Sequence, residues 1–144
     1  MRMSSCAAIM TAALTAASLS LASPAAQRKE ISEADYEKIM KEVLPTYQSL
    51  RKNLDGKMTA EATKDAKRLQ ELFKDVEGFW AARKTEDAIG FAKSAAAGAE
   101  TASKAVAAND FAKALEAHKS LQGTCKSCHD AHRERLPAGG YRIK

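Results

Sequence analysis

From Ser32 onward, apolar side chains recur at intervals of three and four, the spacing that gathers them on one face of a helix. A first segment, about 32–54, carries Tyr36, Ile39, Met40, Val43, Leu44, Tyr47, Leu50 and Leu54 in this rhythm. Ser32 is a good N-cap, and Glu33 and Asp35 suit the positive end of the helix dipole. Pro45 predicts a kink and Asp55-Gly56 an end. A second segment, about 59–83, has Leu69, Leu72, Phe73, Val76, Phe79 and Trp80 on its apolar face. A third, about 85–108, offers only a thin stripe of Ile89, Ala92, Ala96, Ala99 and Val106. Asn109-Asp110 interrupts the pattern and caps a fourth, about 110–135, with Phe111, Leu115, His118, Leu121, Cys125 and Cys128 on its inner side. Pro137 and Gly139-Gly140 stop that segment and leave 141–144 as a tail.

Four amphipathic helices of similar length on short loops pack most economically as an all-α fold, an antiparallel up-down-up-down four-helix bundle. The stripes hold few large residues for such a bundle, so part of the interior is expected to be filled by something other than side chains.

The first 26 residues differ in kind. Arg2 precedes an uncharged Ala- and Leu-rich run, Cys6 to Ala22, and Ser23-Pro24-Ala25-Ala26 supplies small residues before the charged Arg28-Lys29-Glu30. A positive start, an apolar middle and a small-residue exit describe a secretory signal peptide, with cleavage expected near Ala25 or Ala26. The run is short for a membrane span of about 20 residues, and no membrane association is expected after cleavage. The chain then divides into 1–26, the signal peptide, and 27–144, a single bundle domain, and an exported bacterial protein of this kind is expected in the periplasm.

Composition adds little until the cysteines are counted. The whole chain has 23 basic and 18 acidic side chains; removing Arg2 with the leader leaves 22 against 18, a formal +4. That excess is too mild to argue for nucleic acid, though it could steer encounters with an acidic protein surface. Of three cysteines, Cys6 departs with the leader, so Cys125 and Cys128 remain, and in an oxidising compartment such neighbours are expected to be bonded to something.

Cys125-Lys126-Ser127-Cys128-His129 is C-x-x-C-H, the attachment sequence of c-type haem. Two thiols three positions apart share a helix face and can reach two carbons on one haem edge, and the adjacent imidazole of His129 is placed for the iron. A zinc site would need a second ligand pair, a thioredoxin-like dithiol a strand–helix context, and a local disulfide would leave His129 without a role. The cofactor expected is one covalent haem c.

With Asp130-Ala131-His132-Arg133 the motif extends to a pattern that resembles the C-x-x-C-H-x-x-aromatic-R ending of the class II c-type cytochromes, the family of cytochrome c′ and the c556-like proteins. The resemblance spans the mature chain, although only the last helix carries a specific motif, and it implies a four-helix bundle with haem near its C-terminal end. Two departures stand out. His132 occupies the aromatic position, and Tyr36 stands where the family often has a basic residue one turn before the distal ligand, so propionate pairing is not inherited.

Function then turns on the ligand opposite His129. A strong sixth ligand suits one-electron transfer, whereas an apolar side chain leaves iron open to NO or CO. His118 and His132 share a helix with His129 and cannot reach the other haem face. Met58 lies 18 positions beyond Met40, roughly 27 Å along a helix. Met40, two turns into the first helix, is expected level with His129, two turns from the end of an antiparallel fourth, although core packing is the ordinary use of a helical methionine. Family members with methionine at this place look like low-spin electron carriers. Ile89, Ala92 and Ala96 are expected to leave room for the macrocycle, and Trp80 to pack. Arg133 is expected either near the His129 imidazole or a propionate, or in solvent. Lys126, Arg133 and Arg135 are expected to rim the exposed haem edge, and His118 to be partly exposed or hydrogen-bonded.

The sequence therefore points to a non-enzymatic, periplasmic monohaem electron carrier bound through Cys125, Cys128, His129 and Met40, serving redox partner proteins with acidic surfaces. The alternatives are a five-coordinate, NO- or CO-binding protein and a haem-bearing subunit of a larger oxidoreductase, and a second copy of the chain is a further candidate partner.

Overall fold

A computed structural model of the chain describes residues 30–144; the leader expected at 1–26 lies outside the described residues. Four α-helices account for most of it: α1 (Glu33–Asp55), α2 (Thr59–Ala82), α3 (Glu86–Ala107) and α4 (Phe111–His132). They pack as a four-helix bundle, each helix against the next and α1 back against α4. Among the described residues no helix is long and apolar enough to cross a membrane.

The three connectors are built alike. Each is three residues long, and its middle residue is left-handed: Lys57 (φ 53°), Lys84 (φ 56°) and Asn109 (φ 56°). In the first, the Lys57 N–H donates to Leu54 O at 3.1 Å and the Met58 N–H to Asn53 O at 2.9 Å. Lys84 and Thr85 repeat this toward Ala81 and Trp80, and Asn109 and Asp110 toward Val106 and Ala105. These paired bonds are Schellman caps, which satisfy otherwise orphaned carbonyls and turn the chain back at once. Gly56, expected to end the first helix, does so with an ordinary φ of −80°, and the strained position falls to Lys57. Ser32 and Asp110 cap α1 and α4 by accepting from Asp35 N and Lys113 N.

The bundle is unevenly filled. α3 is the pivot: Ala88, Ala92, Ala95, Ala99, Ala102 and Val106 are buried along one stripe, and α2 and α4 close tightly over it. A Cβ on Gly98 would come within 3.1 Å of Leu121 Cδ2, so this glycine sets how near α4 can come. The small side chains of α3 allow close helix contact, and Ala92 and Ala96 are both buried. α1 is held differently. Its buried residues are Leu50, Asn53 and Leu54, all near its C-terminal end, with Asn53 donating to Asp65 at 2.8 Å. Toward its start Tyr36, Ile39, Met40, Val43 and Tyr47 are only partly buried, and Leu44, expected inside, is 59% exposed.

α4 stops at His132, three residues before the expected end. Arg133 is extended, and β1 (Arg133–Arg135) pairs antiparallel with β2 (Tyr141–Ile143), Arg133 facing Ile143. Pro137 at the second position of a turn closed by Gly139 N to Leu136 O (3.0 Å), followed by glycines at φ 91° and 82°, makes a hairpin of what the sequence suggested was a tail. The Lys144 amide donates to His132 O, tying the hairpin to the end of α4.

A lysine in the left-handed region costs about 1 kcal/mol that glycine avoids. Lys84→Gly should therefore raise stability by up to about 1 kcal/mol in urea unfolding; a loss of stability would show that the Lys84 side chain contributes something the connector geometry does not reveal.

Candidate functional site

The C-x-x-C-H motif lies inside α4, where Cys125, Cys128, His129 and His132 follow the i, i+3, i+4, i+7 spacing of one face. All four are partly buried, whereas Lys126, Ser127, Asp130 and Ala131 are exposed on the other side. Outward contacts keep the helix regular here: Lys126 pairs with Asp130, and Ser127 Oγ donates to Gly123 O at 3.1 Å. The motif face is therefore presented by continuous helix and not by a loop.

Both thiols are free and both are held protonated. Burial raises Cys125, and burial together with the nearby Cys125 and Asp87 pushes Cys128 up to about 11. A redox dithiol needs the opposite, a thiolate stabilised near neutral pH. Burial pushes His129 below the ordinary imidazole value, and the Arg133 charge adds to this against the opposing pull of Asp130. No described residue hydrogen-bonds its ring. A neutral imidazole with no competing partner is the form that binds iron.

Across from this face runs the loosely held half of α1. Tyr47 and His118 clasp the two helices: their rings stack at 3.9 Å, His118 Nε2 meets Tyr47 O at 3.0 Å, and the Tyr47 hydroxyl donates to His118 O at 3.3 Å. His118 is thus buried, 3% exposed, and not at the surface. Counting seven residues from this clasp in opposite directions sets Met40 against Cys125, one turn from the expected level of His129. Side chains of both helices lean toward their own N-termini, which brings Met40 and His129 toward one another. Tyr36 lies close enough to Cys128, and Tyr47 to Cys125, for their charges to interact, so the turns of α1 between the two tyrosines pass along the motif.

Other expected site residues are placed as follows. Trp80 is buried in packing, edge-on to Phe79 (5.2 Å) and Tyr36 (5.8 Å) and near the His132 ring (5.0 Å). His132 bonds Asp87 at 2.9 Å, joining the last turn of α4 to the first turn of α3. The Arg133 guanidinium stacks over Tyr141 at 3.9 Å on the hairpin. Arg135 is exposed, and Lys126 is occupied with Asp130, so the basic rim is thinner than the sequence suggested. The hairpin and the His132–Asp87 link were missed. Pro137 with Gly139-Gly140 was the signal for the first; nothing local signals the second, which joins positions 45 apart in the chain.

No three His, Cys, Asp or Glu side chains among the described residues come together as a bare metal ion would require. The donor set instead fits a porphyrin: two thiols on one helix face, an unpartnered imidazole beside them, and an apolar helix opposite that is not fully buried. Comparison with protein-family models, with curated proteins and with solved structures finds no match to this chain.

The clasp makes a testable claim. Burial lowers His118 below 6.5, with Arg51 adding to this and both the Tyr47 carbonyl and Asp55 opposing it. The unfolded chain therefore takes up the proton first, so stability is full above pH about 6.5 and falls as pH drops below it. Urea unfolding of the wild type at pH about 7.5 and about 5.5 should show this loss, and His118→Gln should shrink it, leaving any part due to His129. An equal loss in the variant would show that His118 is not a source.

Proposed function

We propose that this chain is the polypeptide of a periplasmic monohaem c-type cytochrome that carries single electrons. The observation that supports it best is the pairing of two incompletely buried faces: Cys125, Cys128 and His129 on α4, and Ile39, Met40 and Val43 on α1. A flat apolar group lying between them would bury both, and burial stabilises at about 25 cal/mol per Å² of apolar surface. α1 meets α4 less than any other adjacent pair of helices does, so opening this seam disrupts the least native packing.

In this reading Cys125 and Cys128 would tether the haem by thioethers, and the His129 imidazole on α4 and the Met40 sulfur on α1 would be the side chains that hold its iron. When bound, the haem iron supplies the Fe(III)/Fe(II) couple. The residues of the chain then hold the ligands in place during electron exchange. The tight α2–α3–α4 packing and the His132–Asp87 link fix the motif helix, and the Tyr47–His118 clasp fixes how far α1 can swing. Low reorganisation follows from such a scaffold because neither ligand helix needs to move between oxidation states. The modest positive charge and the exposed Arg135 favour an acidic redox partner. The alternative, a five-coordinate site open to NO or CO, has one observation on its side, the one-turn offset between Met40 and His129.

The first test is covalent attachment. The exported protein should carry the mass of one haem, and Cys125→Ala with Cys128→Ala should abolish it; an exported wild type without that mass sinks the proposal. The second test reads the ligand: Met40→Ala should turn a low-spin reduced spectrum high-spin and open the iron to CO. A spectrum unchanged by Met40→Ala removes that ligand, and a wild type that is already high-spin favours the gas-binding reading.

A further inference from the structure

Trp80, the chain's only tryptophan, is 2% exposed, and its Nε1–H is buried where no acceptor meets it in hydrogen-bonding geometry. An unpaired buried N–H typically costs about 1–3 kcal/mol, so a folded chain retains one where something outside the polypeptide accepts it. The surroundings are rich in donors. Burial pushes the Tyr36 hydroxyl up to about 12, the neighbouring Trp80 N–H and the Arg133 and Arg83 charges pulling the other way, and the hydroxyl therefore keeps its proton. The Arg83 guanidinium lies 3.6 Å from the centre of the Phe79 ring. The two nearby carboxylates are already engaged, Asp87 with His132 and Glu33 with Arg83 at 3.2 Å. This end of the bundle, beside Cys128, gathers the Trp80 and Tyr36 donors near two guanidinium groups, Arg83 paired with Glu33 and Arg133 stacked on Tyr141, and the Tyr36 oxygen lies beside the indole without reaching hydrogen-bonding geometry. This end suits an anion with oxygen acceptors.

We propose that a carboxylate of the haem tethered at Cys125 and Cys128 is received here, the Trp80 N–H donating to it and the Tyr36 hydroxyl beside it, with Arg83 and Arg133 supplying the positive field. This rests on the function proposed above. The haem brings two carboxylates that must be either solvated or paired, and the donors stand next to the second tether. Trp80 is then an orientation determinant: it sets which way the propionate edge points and holds that edge against α2, leaving the motif helix to carry the iron ligand.

The test uses the haem-loaded protein. Trp80→Phe keeps a ring in the core and deletes only the donor. Resonance Raman spectra should show a propionate bending band moved to lower frequency in Trp80→Phe, and moved in the same direction in Tyr36→Phe, while haem mass and axial-ligand spectrum stay as in wild type. An unmoved band in correctly loaded Trp80→Phe overturns this assignment and leaves the cytochrome reading intact. A crystal structure of the loaded wild type decides the matter even if the variant fails to fold. Trp80 Nε1 about 2.9 Å from a propionate oxygen supports the proposal; Trp80 donating to Tyr36 oxygen, or lying beyond hydrogen-bond reach of both carboxylates, overturns it. Absence of haem from exported protein is the separate result that removes the parent reading, and this one with it.

Discussion

The structure depends on where α1 is held. Leu50 and Leu54 are fully buried, and Asn53 is bonded to Asp65 in α2, so one end of this helix is fixed in the core. Beyond Tyr47 the same helix rides on the bundle without entering it. Apolar side chains left half in water are a cost that folding ordinarily avoids. Here the half-wet stretch lies opposite the half-wet stretch of α4 that carries two thiols and an imidazole. One half-buried seam, with two thiols and an imidazole on one wall, is the simplest description of this side of the bundle.

α3 packs far more closely against its neighbours than α1 does against α4. Its alanines and Gly98 let α2 and α4 approach until backbone and Leu121 nearly touch, and that leaves those two helices little freedom to spread. Interiors packed to such density resist deformation. α1 meets α4 least of all adjacent helices and is joined to it by the Tyr47–His118 clasp, while its first half is held to α2 by the Tyr36–Phe79 stack and the Glu33–Arg83 and Glu42–Arg68 pairs.

Much of this was legible in the chain. Periodicity located all four helices to within a few residues, and the spacing of Cys125, Cys128 and His129 predicted the shared helix face on which they lie. Two kinds of information were not local. Apolar spacing marks a face but not its partner, so Leu44 was assigned inside although it is largely exposed on α1. Likewise Gly56 was the natural helix stop by residue type, yet the backbone turns one residue later, because the Schellman bonds and not the glycine determine the left-handed position. The β1–β2 hairpin was written in Pro137 and Gly139-Gly140, but two three-residue strands are too short for alternation to announce them.

His132 shows how one residue can serve the fold and the site together. It ends α4, bonds Asp87 at the start of α3, and leans its ring on Trp80. The Asp87 carboxylate feels this: burial would raise it, but the bond from His132 and those from the backbone hold it below the usual carboxylate range. Its negative charge in turn helps keep the Cys128 thiol protonated. An aromatic hydrocarbon in place of His132 could fill the same volume but could not reach across to α3. The polar ring therefore fastens the last turn of the motif helix to the rigid side of the bundle and leaves α1 as the wall that yields. On that arrangement the position of the His129 imidazole is set by α3 and α4, and its distance from Met40 by how closely α1 approaches them.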